Sequence, residues 1–522
     1  MKPRLSLRNV NLGLVLLLIL AMTNQLGFGV RLGGMALPVT AADVVLVLAA
    51  VGIGLRLVSR GMRKLKLPPL QAFVLVAAAA AALARAGAGL GAAKDLLQFI
   101  EYFLLAFAVF LNVEECSDIK PYVTAFAVST GLVVAWGIVH YVVAESPLDI
   151  RAGYANRNGL SAFLALALPF LYGIALHARH WRVRIALLAI VAGGLLVCLS
   201  GGSLLAIVLV LVVLSAVRGQ RALVPCLLVL AIAIPAASRW LRPYHTDALF
   251  SSVALTVEDN YLLSDRQLFK RAQELYKPTH KIVADHSGEL IMPQPRPLDA
   301  DRLLTLLGRR RDLTRKEIQL LSEVKTTIEN DVPSEVAASY PLRGPRTAVR
   351  YERWNAAIVA ARALWFPRSL QPSDQHGDPF FGYGPRPYHH LLKPFMPGRL
   401  QYRTDEPEVF NVAAPEDLTH NVWLKALVQM GLVGFAALAW LVAALVGRAI
   451  RLYAAAHSEL MLGVALGAAG AIAGFALAGL FTENLIRGLA IPFVFVCATV
   501  AIAERIVHGD DKSALEKLTR YD

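Results

Sequence analysis

Twelve apolar runs constrain the fold of this 522-residue chain more than any other feature of its sequence. A helix of about 20 residues crosses the ~30 Å hydrocarbon core of a bilayer, and most of the runs are close to that length. They cover residues 11–29, 37–57, 68–88, 95–113, 121–144, 159–177, 183–199, 202–217, 222–238, 420–446, 459–481 and 486–504. With 56% hydrophobic and only 17% charged residues, the sequence predicts an all-α, polytopic integral membrane protein with about 12 transmembrane helices.

The excess of positive charge lies on the short links between these runs. The chain carries 52 Lys and Arg against 38 Asp and Glu, a net charge of +14. Residues 239–419 are nearly neutral, with 25 basic and 23 acidic side chains, which leaves 27 basic and 15 acidic residues elsewhere. Because basic links orient a protein in a membrane, this distribution indicates a partner that is a lipid bilayer, not a nucleic acid.

The same links predict the side of the membrane on which each segment lies. With the N-terminus in the cytoplasm, the cytoplasmic segments collect 20 Lys and Arg, whereas the short segments on the opposite side hold six. Segments rich in Lys and Arg stay in the cytoplasm, so both termini are expected there and the long loop outside it. The predicted domains are spans 1 to 9 (1–238), the loop (239–419), spans 10 to 12 (420–504) and a cytoplasmic tail (505–522).

The loop has the pattern of a helical domain and not of a linker. Leu, Ile and Val recur at helical spacing over residues 265–276, 299–307 and 313–330. A stronger helix is predicted from Thr347 to Phe366. Its apolar stripe, at spacings of four, three and four, consists of Trp354, Ile358, Ala361 and Trp365.

Three arginines lie on a neighbouring face of this predicted helix. Arg346, Arg350 and Arg353 are spaced four and three residues apart, which places them on one side. If the apolar stripe docks on the membrane domain, the guanidinium groups face a cleft and can bind an anion. A solvated arginine face beside an ordinary core stripe explains the same spacing, and periodicity alone leaves both interpretations open.

His420 and Asn421 stand where the loop re-enters the membrane, at the start of the apolar run His-Asn-Val-Trp-Leu. A histidine held at a bilayer surface has a pKa near neutrality, which suits removal of a proton from a hydroxyl. The alternative is a side chain that only caps the helix or reaches to the interface.

A short extracytoplasmic link holds further polar residues just before the sixth run. Arg151, Arg157 and Asn158 stand there with two glycines, and guanidinium forks and backbone amides at a helix start can hold an anionic headgroup. A plain turn with Asn158 as helix cap is an equal alternative. Neither a phosphate-binding glycine loop nor a metal-spaced set of His and acidic residues is visible, so arginine is the expected partner of a phosphate group.

These residues together resemble the O-antigen ligase and O-antigen polymerase superfamily of bacterial inner-membrane glycosyltransferases. The resemblance runs in patches from Tyr154 to Gly434. The motifs that carry it are YANRNGLSAFLALALPFL (154–171), the pair Arg350 and Trp354, FFGYG (380–384) and HNVWLKALVQMGLVG (420–434), with a large loop between the ninth and tenth spans. Each motif alone is weak evidence for the family, but their order and their positions among the predicted spans are more specific.

The resemblance implies a GT-C-like membrane fold with its site on the periplasmic face. It implies an undecaprenyl-diphosphate-linked glycan as donor, a sugar hydroxyl as acceptor, and inverting transfer without a metal or another cofactor. Carried over onto matching positions, Arg350 binds the diphosphate and His420 activates the acceptor hydroxyl. Further candidate substrate-binding residues are Arg151, Arg157, Asn158, Arg346, Arg353 and Asn421.

One departure from the family concerns the turn after the seventh span. Many members carry an arginine there in a Ser-Arg-Gly turn, whereas this chain reads Leu-Ser-Gly-Gly-Ser at 199–203. Either another of the candidate arginines makes that contact, or the donor binds differently.

Several activities are compatible with the resemblance. The acceptor is expected to be lipid A-core, and polymerisation of an O-antigen or exopolysaccharide on a growing glycan chain is the close alternative. A protein O-oligosaccharyltransferase is less favoured. From another class, a transporter or flippase for lipid-linked glycans also suits twelve spans, but the division of nine and three around one loop argues against two equivalent halves.

Overall fold

The computed structural model describes fifteen stretches of the chain. They are residues 7–22, 27–32, 35–60, 65–85, 96–113, 119–143, 152–154, 157–198, 200–220, 283–284, 290–291, 346–365, 377–384, 421–482 and 490–518. Most of these residues are helical. By their contacts the residues form two compact units, one of residues 1–247, 361–388 and 419–522 and one of residues 248–360 and 389–418.

Twelve helices and two small hairpins make up the described secondary structure. The helices are α1 (Leu7–Ala21), α2 (Ala41–Arg60), α3 (Leu70–Arg85), α4 (Leu96–Asn112), α5 (Ile119–Val143), α6 (Arg157–His177), α7 (Trp181–Val197), α8 (Gly201–Val217), α9 (Arg346–Trp365), α10 (Val422–Ala455), α11 (Glu459–Ala478) and α12 (Ala490–Leu518). Antiparallel strand pairs join β1 (Gly27–Leu32) to β2 (Met35–Thr40) and β3 (Val283–Ala284) to β4 (Leu290–Ile291).

Six of these helices are long and apolar enough to cross a membrane. The candidate spans lie in α2, α5, α6, α10, α11 and α12, while α1, α3, α4 and α8 are apolar but shorter. Helices occur at eleven of the twelve predicted runs, and the run 222–238 lies outside the described residues. The described part of the chain is therefore mostly helical and contains six candidate membrane-spanning helices, and the number twelve stays a prediction.

The hairpin of β1 and β2 was not expected from the sequence. The predicted runs 11–29 and 37–57 reach into it, but α1 ends at Ala21 and α2 begins only at Ala41. The residues between them form a strand pairing that runs from Gly27 with Thr40 to Leu32 with Met35. Apolar composition alone does not distinguish the two structures in such a short segment.

Polar side chains fix the helices that follow this hairpin. Thr40 and Asp43 form a reciprocal cap at the start of α2, in which the Thr40 amide donates to Asp43 Oδ2 at 2.7 Å and the Asp43 amide to Thr40 Oγ1 at 3.3 Å. Tyr102 of α4 donates to Asp43 Oδ1 at 2.9 Å. Between α1 and α2, buried Asn11 donates to the Gly52 carbonyl at 3.0 Å. These bonds set the register of α1, α2 and α4.

The helix α6 lies at the centre of the first unit. All of its membrane-length stretch is buried inside the protein, against α7, α8 and α11. A Cβ atom on Gly173 would collide with the backbone of Gly467, and one on Gly474 would lie 2.5 Å from the Ala165 carbonyl oxygen. The backbones of α6 and α11 therefore approach as closely as glycine allows, as in other membrane bundles with small residues at helix contacts.

The helix predicted at 347–366 is present as α9, but its buried face shares only Ala361 with the predicted stripe. Ile358 and Trp365 are 44% and 53% exposed, and Trp354 is only partly buried. The buried side chains are Ala357, Ala360, Ala361, Ala363 and Leu364. Because alanine is small, a helix face rich in alanine can pack closely against its neighbours. The predicted stripe was chosen by the spacing of large apolar side chains, and this criterion misses most of the alanine-rich face. The helices predicted at 265–276, 299–307 and 313–330 lie outside the described residues.

Candidate functional site

The helix α10 is interrupted at Gly431, and a short segment of the loop fills the interruption. Gly431 has φ 63° and ψ −161°, a conformation open essentially to glycine alone. The amides of Leu432 and Val433 therefore lose their helical partners and donate to the carbonyls of Pro379 and Phe380, each at 3.0 Å. The second part of α10 thus begins with a cap made of loop backbone.

The other side of the interruption is bonded in the same way. The carbonyls of Val428 and Gln429 accept from the amides of Tyr383 and Gly384 at 2.9 and 3.0 Å. Three backbone hydrogen bonds therefore join FFGYG to HNVWLKALVQMGLVG, and the fourth involves Pro379, directly before FFGYG. Two of the motifs on which the family resemblance depends thus form one structure. Burial raises the pKa of Tyr383 to about 12, so its phenol stays neutral near pH 7.

Asp378 shapes the segment 377–384. Its Oδ1 accepts from the amides of Phe380 and Phe381 at 2.8 and 3.1 Å, and its backbone pairs with that of Gly382. Oδ2 forms an ion pair with Arg85, at the end of α3, at 2.5 Å. Both side chains are partly exposed, so the pair adds little stability but fixes the segment laterally.

Arg85 is not among the site residues that the sequence predicts. Its guanidinium Cζ also lies 5.8 Å from the centre of the Phe381 ring, a cation–π contact. The only signal in the sequence is a basic residue at the end of an apolar run, which positive-charge counting treats as an anchor. Its acidic partner stands 293 positions later, so no local pattern connects them.

Asn421 caps the first part of α10. Its Oδ1 accepts from the amides of Trp423 and Leu424, both at 3.0 Å, and the Val422 amide donates to the Gly479 carbonyl at 2.8 Å. The bond to Gly479 holds the start of α10, directly after His420 in the sequence, against the end of α11. Capping accounts for part of what the Asn421 side chain does, and substrate binding by Asn421 stays a prediction.

Buried polar atoms are present near the starts of α6 and α8. Hydrogen-bond partners with standard geometry are missing, within the described part of the chain, for Tyr154 Oη, Asn158 Oδ1, Ser161 Oγ, Ser200 Oγ and Ser203 Oγ. The Cys198 thiol lies beside both Ser161 and Ser200, which connects the two helix starts. An unpaired buried polar group costs about 1–3 kcal/mol, so a polar ligand group reaching this junction would gain hydrogen bonds.

Tyr154 stands out in this group. Its ring stacks on Phe163 with centroids 5.5 Å apart, and its hydroxyl is buried. Burial raises the pKa of Tyr154 well above its usual value, so the phenol is a donor and not a base. Tyr154, Ser161, Ser200 and Ser203 were not candidates from the sequence, although all lie in the two segments compared with the family.

The structure describes the remaining predicted site residues only in part. His420 and Arg151 lie outside the described residues. Arg157 begins α6, and Arg346, Arg350 and Arg353 lie on α9, but their side chains also lie outside what is described. Their roles stay predictions. Across the described ranges, no three His, Cys, Asp or Glu side chains lie close enough to hold a metal ion.

Comparison with known proteins adds no family assignment. No protein-family model matches the chain, and no curated protein matches it.

Proposed function

We propose that this protein is an integral membrane glycosyltransferase of the O-antigen ligase type, which moves a glycan from undecaprenyl diphosphate to an acceptor sugar. The joint between the segment 379–384, which contains FFGYG, and the interrupted helix α10 carries this proposal, because two of the family-like motifs, whose first residues are 40 positions apart in this chain, meet there through three backbone hydrogen bonds. Lipid A-core is the proposed acceptor. Chain polymerisation is the alternative within the same chemistry.

The proposed architecture has twelve transmembrane helices in a GT-C-like arrangement in the bacterial inner membrane. Both termini lie in the cytoplasm and the loop 239–419 in the periplasm, as the ratio of 20 to six basic residues indicates. The joint then lies at the periplasmic face, since it is made of loop residues and of the helix that follows the loop.

Cysteine labelling tests this orientation. Single cysteines at Ser287 and Ser513 are introduced after replacement of the native ones, which are Cys116, Cys198, Cys226 and Cys497. In intact spheroplasts an impermeant thiol reagent is expected to label Ser287→Cys and to leave Ser513→Cys unlabelled until the membrane is permeabilised. Labelling in the reverse order would overturn the orientation and the periplasmic site with it.

The mechanism is a single inverting displacement. The His420 imidazole takes the proton of the acceptor hydroxyl while its oxygen forms a bond to the anomeric carbon. The bond from that carbon to the diphosphate oxygen breaks, and undecaprenyl diphosphate leaves with the electron pair. Arg350, assisted by Arg157 or Arg353, stabilises the negative charge on the leaving group. The cap by Asn421 restrains the backbone next to the base.

The position of the interruption in α10 favours an enzyme over a carrier. Arg448 follows Gly431 by 17 residues, about 25 Å along a helix. With Arg448 at the cytoplasmic boundary of a ~30 Å core, Gly431 lies near the opposite boundary. Carriers place their binding sites near the midplane, whereas an acceptor and a lipid-linked donor meet at the membrane surface.

Arg350 is expected to be essential because a guanidinium can hold a diphosphate through two parallel hydrogen bonds. Lysine keeps the charge but loses the fork, so Arg350→Lys should reduce activity strongly while membrane insertion stays normal. Initial rates in nanodiscs measure the effect. Arg362, on the same helix and exposed, provides the matched control in Arg362→Lys. Full activity in both Arg350→Lys and Arg350→Ala would exclude Arg350 from the site.

Reconstitution of the purified protein decides the function as a whole. The protein is supplied with an undecaprenyl-diphosphate-linked glycan and, separately, with lipid A-core, a glycan chain or a peptide acceptor. Product on lipid A-core supports a ligase, a lengthened chain a polymerase, and a glycopeptide a protein oligosaccharyltransferase. Movement of the donor between leaflets without any product would replace the enzyme by a flippase.

A further inference from the structure

A cavity of about 500 Å³ lies at the opposite end of α3 and α10 from the joint. It is enclosed by the residues that precede α3 and by α4, α10 and α12. Its charged lining residues are Lys66, Arg448, Glu504 and Arg505. Three cations and one carboxylate therefore share one cavity.

The carboxylate is already neutralised inside the cavity. The Nε of Arg448 donates to both oxygens of Glu504, at 3.1 and 3.0 Å, and its Nη2 also bonds Glu504 Oε2. Within the described residues, Arg505 donates to two backbone carbonyls, those of Ala501 at 3.4 Å and Leu111 at 3.2 Å. Carbonyl groups carry no net charge, so among the described lining residues Arg505 and Lys66 leave a surplus of two positive charges.

The position of Lys66 is fixed by its backbone. The Lys66 amide donates to Asn112 Oδ1 and the Asn112 side-chain amide donates to the Lys66 carbonyl, each at 3.0 Å. This pairing joins the link before α3 to the end of α4. These two bonds hold the Lys66 backbone at the cavity, while its side chain is exposed.

The surroundings of the charges suit a lipid. Apolar side chains, among them Leu67 and Phe107, form the rest of the lining. Leu67 is 64% exposed, so the rim next to Lys66 is apolar and faces outward. An isolated anion gains nothing from such walls, whereas a molecule with a phosphate and acyl chains matches both parts.

We infer that this cavity binds the phosphate headgroup of an anionic phospholipid, with acyl chains along the apolar rim. Basic pockets between membrane helices on the cytoplasmic side are suited to such headgroups. In the proposed orientation the cavity faces the cytoplasmic leaflet, on the side of the membrane away from the proposed chemistry. The inference itself needs neither the glycosyltransferase nor its substrates.

Lipid titration of the purified full-length protein tests the inference. Native mass spectrometry measures binding of dioleoylphosphatidylglycerol, with dioleoylphosphatidylcholine and inorganic phosphate as comparison ligands. Each basic residue near a membrane surface contributes about fivefold to binding of anionic lipid, so Lys66→Gln should weaken the phosphatidylglycerol site about fivefold and Lys66→Gln with Arg505→Gln roughly 25-fold. Phosphatidylcholine should bind weakly to all variants.

Matched controls come from two exposed basic residues that do not line the cavity, Lys120 at the start of α5 and Arg451 on α10. Lys120→Gln and Arg451→Gln should retain wild-type binding within about twofold. Equal weakening in cavity and control variants would overturn the inference, as would complete displacement of the lipid by millimolar inorganic phosphate, which would indicate a free-anion site. If the double variant fails to accumulate, Lys66→Gln alone decides between these outcomes, because Lys66 is exposed and its replacement should not affect folding.

Discussion

Replacement of His420 by alanine is expected to lower turnover about 10²- to 10⁴-fold, the usual contribution of a positioned general base. Donor affinity should change little, because in the proposed mechanism the diphosphate contacts belong to the arginines. Initial rates and donor binding in nanodiscs separate the two quantities. A loss of affinity without a loss of rate would assign His420 to binding instead of proton transfer.

His420→Gln distinguishes a base from a residue that only orders the chain. Glutamine can hydrogen-bond but cannot take up a proton near neutral pH, so its rate should be as low as that of His420→Ala. In the wild type the rate should rise with pH between about 5.5 and 8.5, because only the neutral imidazole ring accepts the proton. A near-wild-type rate in His420→Gln would remove the base assignment and leave the glycosyltransferase proposal standing.

Gly431→Ala is expected to open the joint between α10 and the segment 377–384. The φ and ψ of Gly431 cost a non-glycine residue about 1–3 kcal/mol. A Cβ atom would in addition lie 2.5 Å from the Phe380 carbonyl oxygen, which is backbone and cannot rotate away. Alanine also favours an uninterrupted helix, in which the carbonyls of Val428 and Gln429 no longer accept from Tyr383 and Gly384. Activity and the midpoint of thermal unfolding should both fall.

The matched control for this change lies on the same helix. At Gly447 a Cβ atom would meet nothing nearer than 3.7 Å, so Gly447→Ala should be neutral or stabilising by up to about 1 kcal/mol. Thermal midpoints in one detergent and initial rates compare the two variants. If Gly431→Ala matched Gly447→Ala in both measurements, the joint would have no part in the function.

The helical part of the fold follows from the sequence because each helix has its own apolar signal. The predicted runs 121–144 and 459–481 contain almost no charge and no proline in their interior, and helices form there at Ile119–Val143 and Glu459–Ala478. The hairpin 27–40 and the alanine-rich face of α9 were missed for a common reason: both depend on which neighbour a segment packs against. Hydrophobic periodicity reports how apolar a residue is and not how closely another backbone can approach it.

The candidate site was less predictable, since its central feature is a set of backbone hydrogen bonds. The sequence indicates the motifs around Phe380 and Gly431. Their side chains do not predict that the helix is interrupted, or that loop carbonyls accept from the amides left without helical partners. A glycine inside an apolar run is common in membrane helices, so Gly431 by itself carries little information. The partnership of Arg85 with Asp378 joins residues 293 positions apart, which only the tertiary fold brings together.

The burial of α6 has a consequence for how the chain is made. Its close neighbour α11 begins at Glu459, about 280 residues after α6 ends at His177. At a translation rate of about 5–20 residues per second, roughly 15–60 s separate the synthesis of the two helices. During that interval the backbone around Gly173 lacks its folded-state neighbour Gly467. The packing of α6 against α11 can therefore be completed only after the residues of α11 have been made.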